Sequence, residues 1–247
     1  MRQMHAAAAR VRIFPRRPGM TTSDSRNNDP GRRNGTRRAL ALGAVAAGAA
    51  VGFGLLNAAV VRRETAAVDE AVRKRARARR GHPVREAAAK AAPVGKWWTY
   101  LPGALGASAY LLAARGEDDE RAGRSRTVGA GAVLLAGTIA TVLNGKFDEF
   151  LPQPPAPPGH PRGKPVFPSG HAFGPGAVAF STAYVMAREG LARPAVAAPA
   201  ALAIPLALAG GRMIVEKHWA SDVLGGCLAA VAVAAACLAG YEAASGR

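Results

Sequence analysis

The chain has 247 residues and carries 33 Lys and Arg against 16 Asp and Glu, a net charge of +17. Six stretches contain no Asp, Glu, Lys, Arg or His, namely 39–61, 97–114, 127–143, 172–187, 194–210 and 223–241. This segregation excludes a disordered chain and argues against a soluble domain, whose helices need a polar stripe. A membrane span takes about 20 apolar residues, so the sequence predicts an all-α integral membrane bundle of six helices. A soluble all-α protein with Ala-rich core helices is the alternative.

The N-terminal segment 1–38 holds ten Arg among Gly, Pro, Asn and Ser, a composition that predicts a disordered basic arm. Arg37 and Arg38 precede the first apolar stretch in the manner of a twin-arginine export signal. That stretch is longer than the apolar core of a signal peptide, so we favour the interpretation that both arginines flank an uncleaved first span. Residues 39–247 then form one membrane domain.

The connection 62–96 after the first span is strongly basic, with eleven Lys or Arg. Residues 68–75 and 85–90 have helix-forming compositions, which predict helices lying on the membrane surface. Clustered cations near a membrane attract anionic lipids. We therefore expect this connection to gather anionic lipid, and a solvated helix whose Arg content reflects coding bias is the alternative.

The connection 144–171 is long and rich in Pro, and loops of this length are uncommon unless they are functional. Because spans alternate in direction, the connections after the first, third and fifth spans lie on the same side of the membrane. The connections after the third and fifth spans contain three of the five His residues: His160, His171 and His218. We therefore expect the functional site in these two connections.

The tetrapeptide Pro168-Ser169-Gly170-His171 stands directly before the fourth span. Ser and Gly at the start of a helix expose N–H groups and a hydroxyl to an anion. His171 at this place can donate or accept a proton near neutral pH. Taken alone, the tetrapeptide is also compatible with a simple helix N-cap.

A second group consists of Arg212, His218 and Asp222. His218 and Asp222 are four residues apart, so on a helix they share a face and the carboxylate can orient the imidazole for nucleophilic attack. Arg212 supplies a planar fork suited to phosphate oxygens. Lys146, at the end of the third span, is a further cation, although one Lys at a helix end is also typical of a membrane interface.

Together these residues resemble the type 2 phosphatidic acid phosphatase (PAP2, lipid phosphate phosphatase) superfamily, whose pattern is K-x6-R-P, then P-S-G-H, then S-R-x5-H-x3-D. The second element is complete here, and the third has Gly211 where Ser is usual. The first element begins at Lys146 and has Gln153 where Arg is usual, followed by Pro154. The six-span plan also matches that of the family.

The resemblance implies that His218 attacks phosphorus and becomes a phosphohistidine, that Asp222 orients it, and that His171 serves as acid and then base. It implies that the phosphoryl oxygens are held by Lys146, Ser169, the Gly170 backbone and Arg212, with Gln153, Arg162 and Lys164 as further candidates. Positioning and charge stabilisation account for such phosphoryl transfer. No metal or other cofactor is therefore expected.

The function implied by the resemblance is hydrolysis of a lipid phosphate or pyrophosphate, with membrane lipids and no nucleic acid as partners. Because Gln153 brings no charge, a weakened member that binds anionic lipid without efficient hydrolysis is the alternative. Basic residues are nearly balanced between the two sides of the membrane. We expect a cytoplasmic N-terminus and a site on the periplasmic side of the cell membrane. The arginines before the first span have the strongest influence on orientation, and the family usually has its site outside the cytoplasm.

Overall fold

The computed structural model describes residues 30–114 and 120–245, and the regular elements in these residues are all helical. They are α1 (Pro30–Val61), α2 (Ala66–Ala76), α3 (Pro83–Ala91), α4 (Trp97–Ala113), α5 (Glu120–Asn144), α6 (Phe147–Phe150), α7 (Gly170–Arg188), α8 (Pro194–Ile214) and α9 (Ala220–Ser245). A short 3-10 turn, Ala92–Gly95, joins α3 to α4. The all-α prediction is confirmed, and α1, α4, α5, α7, α8 and α9 lie at the six apolar stretches.

Four of the described helices are long and apolar enough to cross a membrane: α1, α5, α8 and α9. The other two predicted spans are α4, which has only 17 residues, and α7, which is buried among its neighbours over most of its first two turns. A span of typical tilt takes about 20 residues, so α4 is near the lower limit. Crossing of the membrane by α4 and α7 stays a prediction.

The first helix begins earlier than expected. Residues 1–29 of the predicted basic arm lie outside the described residues, but residues 30–38 form the first turns of α1. Pro30 suits the first helical position, because its missing N–H has no intrahelical partner there. Extending an existing helix is also easier than nucleating one. The boundary of the arm at residue 38 is therefore wrong for residues 30–38.

Helices α7 and α9 lie at the centre of the bundle. α9 packs against α1, α5 and α7, while α7 also contacts α8 and α4. The main apolar cluster joins α4, α5, α7 and α9, with Leu111, Val133 and Val185 fully buried. By contrast, α1 and α8 turn large apolar side chains such as Leu55 and Leu202 outward. An outer surface of this kind suits contact with lipid rather than water.

The basic connection after α1 folds onto the end of the bundle. The Asp69 carboxylate of α2 is 5% exposed and accepts hydrogen bonds from the Ser221 N–H at 2.9 Å and the Ser221 hydroxyl at 2.7 Å. Arg73 pairs with Glu216 at 2.6 Å, and the Gly159 N–H donates to the Glu216 carbonyl at 3.1 Å. The connections after α1, α5 and α8 therefore meet at one end, as predicted. Helix α2 is therefore anchored to the bundle rather than wholly solvated.

Candidate active site

The start of α7 is pressed against the start of α9. Ser169 immediately precedes α7, and its N–H donates to the Asp222 carbonyl at 2.9 Å. Gly226, one turn further along α9, permits this approach, because a Cβ there would collide with the Ser169 carbonyl oxygen. The two motifs predicted from the sequence are thus joined through their backbones.

The side chains of His218 and Asp222 meet as expected, but across a turn rather than along a helix face. His218 lies before α9 and Asp222 in its first turn, and Nδ1 of His218 is 3.3 Å from Oδ2 of Asp222. The same oxygen accepts the Trp219 N–H at 2.7 Å. This is one half of a capping box, in which an acid in the first turn reaches back to the residue before the helix. The chain turns between α8 and α9, with Glu216 at a φ of 58°, and His218 lies in this non-helical turn.

Asp69 completes the cap of α9 from a distant element. Trp219 precedes the helix and has no side-chain oxygen, so it cannot accept an N–H of the first turn. The Asp69 carboxylate accepts the Ser221 N–H instead. A negative charge at this end of a helix is also favourable to the helix dipole. The turn that carries the His218–Asp222 pair is therefore held in place by α2.

Three imidazoles converge beside this turn. The ring centroids of His171 and His218 are 6.2 Å apart, and those of His160 and His218 are 5.7 Å apart. Nε2 of His171 donates to the Ala92 carbonyl at 3.1 Å, and Nδ1 of His160 donates to the Lys217 carbonyl at 2.6 Å, since a carbonyl can only accept. His171 and His218 are close enough to act on the same phosphoryl group.

His218 and His171 are both uncharged near pH 7. Burial lowers the pKa of His218 to about 3, and the positive charge of Arg212 adds to this effect. Burial, followed by the charge of Arg212, also lowers the pKa of His171 to about 3. A neutral imidazole is the form that can attack phosphorus. A bound phosphate dianion favours protonation of a neighbouring ring, which suits an acid role for His171.

Three buried polar atoms at the site have no hydrogen-bond partner among the described residues: Ser169 Oγ, Arg212 Nε and Asp222 Oδ1. Buried polar atoms are nearly always bonded, so such a group marks a place where a ligand supplies the missing partner. A serine hydroxyl and a guanidinium can both donate to phosphoryl oxygens. The charge of Arg212 acts on both imidazoles, which places it beside them. Ser169 and Arg212 thus offer unpartnered donors close to the imidazoles, from which an anion could accept hydrogen bonds.

Three predicted phosphate ligands lie at the protein surface instead. The Lys146 ammonium donates to Glu149 at 2.6 Å, and both side chains are about half exposed. This contact raises the pKa of Lys146. Arg162 and Lys164 are exposed on the Pro-rich connection. The structure therefore brings together Ser169, Gly170 and Arg212, but not these three cations.

Gln153, which stands where the family has Arg, binds the backbone. Its Oε1 accepts the Val166 N–H at 2.8 Å and the Phe167 N–H at 3.0 Å. Its Nε2 donates to the Phe167 carbonyl at 3.0 Å and to the Leu151 carbonyl at 3.3 Å. An amide can make both kinds of bond, whereas a guanidinium has no acceptor. Gln153 thus shapes the segment that leads into the Pro-Ser-Gly-His tetrapeptide.

Four residues that had no predicted role also shape the site: Asp69, Gly95, Asn144 and His160. A Cβ on Gly95 would collide with the His171 ring, and the Asn144 amide lies against Gly170. The sequence offered a signal only for His160, which is one of the three His residues in the two connections. Contacts made by a Gly backbone or an Asn side chain cannot be recognised from the spacing of residues in a sequence.

The sequence model of the PAP2 superfamily matches residues 127–245, a range that contains the whole cluster around His218. The chain is thus similar to the PAP2 superfamily over just under half of its length. The crystal structure of the first transmembrane PAP2 type phosphatidylglycerolphosphate phosphatase from Bacillus subtilis is similar, with a TM-score of 0.64 and 21% identity, over 77% of this chain and 92% of that chain. No curated protein matches the sequence. The chain thus has the fold of that PAP2 membrane phosphatase. Asp69 and Gly95, which contact Ser221 and the His171 ring, lie outside the matched range.

Proposed function

We propose that this PAP2 protein is a membrane phosphatase that hydrolyses a lipid phosphate or pyrophosphate monoester through a phosphohistidine intermediate. The observation that carries the proposal is the convergence of the His218–Asp222 pair with His171 and with the unpartnered donors of Ser169 and Arg212. Such an arrangement combines a neutral nucleophile, a group that orients it, a second proton carrier and an anion cradle. Phosphoryl transfer depends on these groups.

In the first step, His218 attacks phosphorus while the bond from phosphorus to the lipid oxygen breaks. In the proposed reactive tautomer, the Nδ1–H of His218 donates to Asp222 Oδ2, which lies 3.3 Å away, so that the attacking lone pair is on Nε2. His171, protonated beside the phosphate dianion, gives its proton to the leaving oxygen. Ser169 and Arg212 donate to the phosphoryl oxygens, whose charge grows in the transition state.

In the second step, water releases the phosphate from His218. The neutral His171 takes a proton from the attacking water, the bond from nitrogen to phosphorus breaks, and inorganic phosphate leaves. His218 returns to the neutral ring held by Asp222. The same two imidazoles thus serve both halves of the reaction.

A large apolar cavity supports a lipid substrate over a soluble one. It has a volume of about 610 Å³ and lies between α4, α7 and α8. Val94 and Thr99 form part of its wall and flank the segment at Gly95 that contacts the His171 ring. An acyl or prenyl chain in this cavity would have its phosphate end near the imidazoles.

The rival function is binding of anionic lipid without efficient hydrolysis. It is favoured by the positions of Lys146 and Gln153, whose side chains bind Glu149 and the backbone instead of joining the buried cluster. Phosphate release by the purified protein from phosphatidate, phosphatidylglycerophosphate and a polyprenyl pyrophosphate decides between the two. Repeated turnover of one of these lipids supports hydrolysis, and no release from any of them supports the rival.

We expect phosphate release to persist after dialysis against EDTA. The proposed steps use imidazole, guanidinium, hydroxyl and N–H groups. Among the described residues, no group of three His, Cys, Asp or Glu side chains is placed to hold a metal ion. The rate before and after dialysis should be the same. Loss of activity that a divalent ion restores would contradict the mechanism.

The proposed orientation places six spans in the cell membrane, with the N-terminus in the cytoplasm and the site on the periplasmic side. Arg162 is a suitable position for labelling because it is exposed on the same connection as His160. Gly159 is unsuitable, since a Cβ there would collide with the Glu216 carbonyl. Arg162→Cys, with both native cysteines replaced by Ala, should react with an impermeant maleimide in intact cells. Reaction only after lysis would place the site in the cytoplasm.

A further inference from the structure

A second cavity lies beside the reaction centre, enclosed by the basic connection, the Pro-rich connection and the turn between α8 and α9. Its volume is about 620 Å³. Five cationic side chains line it: Lys74, Arg77, Arg79, Arg80 and Arg85. Glu216 is the one acid among its described lining residues. We refer to this space as the basic cavity.

The basic cavity is a neighbour of the phosphoryl site. Gly159 forms part of its wall, and the next residue is His160, whose ring centroid is 5.7 Å from that of His218. Glu216, on another wall, is two residues before His218. When one phosphate of a molecule is bound at His218, the other polar groups of that molecule can therefore reach the basic cavity.

Several bonds hold the basic cavity in a fixed position relative to His218. Asp69 caps α9, and Arg73 pairs with Glu216 at 2.6 Å. The Arg85 guanidinium donates to the carbonyls of Ala78 and Ile214 at 3.0 Å and 3.2 Å. These bonds attach α2 and α3 to the turn that carries the nucleophile. A preformed site of this kind loses little freedom when a ligand binds.

The positive charge in the basic cavity is only partly neutralised by the protein, since Lys74 lies 3.9 Å from Glu70 but other cations of the cavity have no such partner. Glu216 is already engaged with an arginine of α2 at 2.6 Å and lies 3.6 Å from Arg85. Within the described ranges 30–114 and 120–245, Arg77, Arg79 and Arg80 have no carboxylate at ion-pair distance. Like charges gathered in one space repel each other, and an anion placed among them removes this repulsion.

We propose that the basic cavity binds a phosphate group other than the one that is hydrolysed, namely the phosphodiester of a lipid head group. Guanidinium groups bind phosphate oxygens through paired, charge-assisted hydrogen bonds. A phosphodiester fits because it keeps a negative charge and lies at the membrane surface, where the connections after α1, α5 and α8 meet. The inference rests on the proposed function only in placing the scissile phosphate at His218.

The test compares two variants of equal charge. Arg79→Gln with Arg80→Gln removes two guanidinium groups from the basic cavity. Arg75→Gln with Lys90→Gln removes two exposed cations from the same connection outside the cavity. The full-length protein, in a neutral detergent, is titrated calorimetrically with glycerophosphoglycerol, a soluble phosphodiester, and separately with inorganic phosphate. Neither titration requires turnover, so the result does not depend on the phosphatase proposal.

We expect glycerophosphoglycerol to bind the cavity variant about tenfold more weakly than the original protein, the loss expected for about one charge-assisted contact. The control variant should bind it as the original protein does, and His218→Ala should also retain binding. Equal loss in both charge variants, or no loss in either, would overturn the proposal. Tighter binding of inorganic phosphate than of the diester, lost in the cavity variant, would assign the cavity to free phosphate instead of a lipid head group.

Discussion

His218→Ala should abolish phosphate release while the protein still folds and inserts into the membrane. The substitution removes the nitrogen that we propose attacks phosphorus, and alanine offers no nucleophile in its place. Loss of a nucleophile that works together with a base and an anion cradle lowers kcat by a factor on the order of 10⁴ or more. Release of inorganic phosphate from a lipid phosphate, with protein amount in membranes as the reference, measures the effect.

His160→Ala is the matched control for this prediction. The His160 ring lies 5.7 Å from His218, but its Nδ1 is bound to the Lys217 carbonyl, which gives it a supporting position. We expect this variant to retain a measurable part of the activity. The opposite order, with activity kept in His218→Ala and lost in His160→Ala, would show that the nucleophile is His160.

Gln153→Arg, the change that restores the residue usual in the family, should lower both activity and stability. Arg has no acceptor for the N–H groups of Val166 and Phe167, which Gln153 now satisfies at 2.8 Å and 3.0 Å. Loss of each such bond costs about 1 kcal/mol. Because this segment leads into Ser169, we expect kcat to fall along with the temperature of unfolding.

Gln153→Met distinguishes a structural role of this position, through backbone hydrogen bonds, from a role in binding phosphate. Methionine has a similar length and makes neither pair of backbone hydrogen bonds. It should therefore reproduce the loss of stability seen with Gln153→Arg. An increase in kcat/KM in Gln153→Arg, with a decrease in Gln153→Met, would show that the arginine reaches the phosphate, and the structural role inferred for Gln153 would then be wrong.

The helices and the histidine cluster could be predicted from the sequence for identifiable physical reasons. A long uncharged stretch must form a helix in a membrane, because its backbone groups have no other partners there. The order and spacing of the motifs around His171 and His218 predict one site that is formed by residues of two connections. The contact of His218 with Asp222 was expected, although the turn that makes it was not, since spacing alone does not distinguish a helix from a capped turn.

The remaining parts of the site depend on contacts that leave no pattern in the sequence. Asp69 bonds to Ser221, which is 152 residues away, and one of the two bonded groups is a backbone N–H. Gln153 was expected to face phosphate because of its place in a motif, but its amide matches the backbone of a neighbouring segment better. The early start of α1 at Pro30 could not be predicted from composition, since basic residues occur equally in arms and in helix ends.

The proposed mechanism requires a phosphate bound covalently to His218, and trapping this species tests it directly. His171→Ala, supplied with a radiolabelled aryl phosphate whose leaving group needs no proton, should form the intermediate and release it slowly. The protein is denatured at alkaline pH, where phosphohistidine survives, and the labelled peptide is identified by mass spectrometry. We expect label on His218 and none in His171→Ala combined with His218→Ala. Label on another residue, or phosphate release without any labelled protein, would contradict the proposed mechanism.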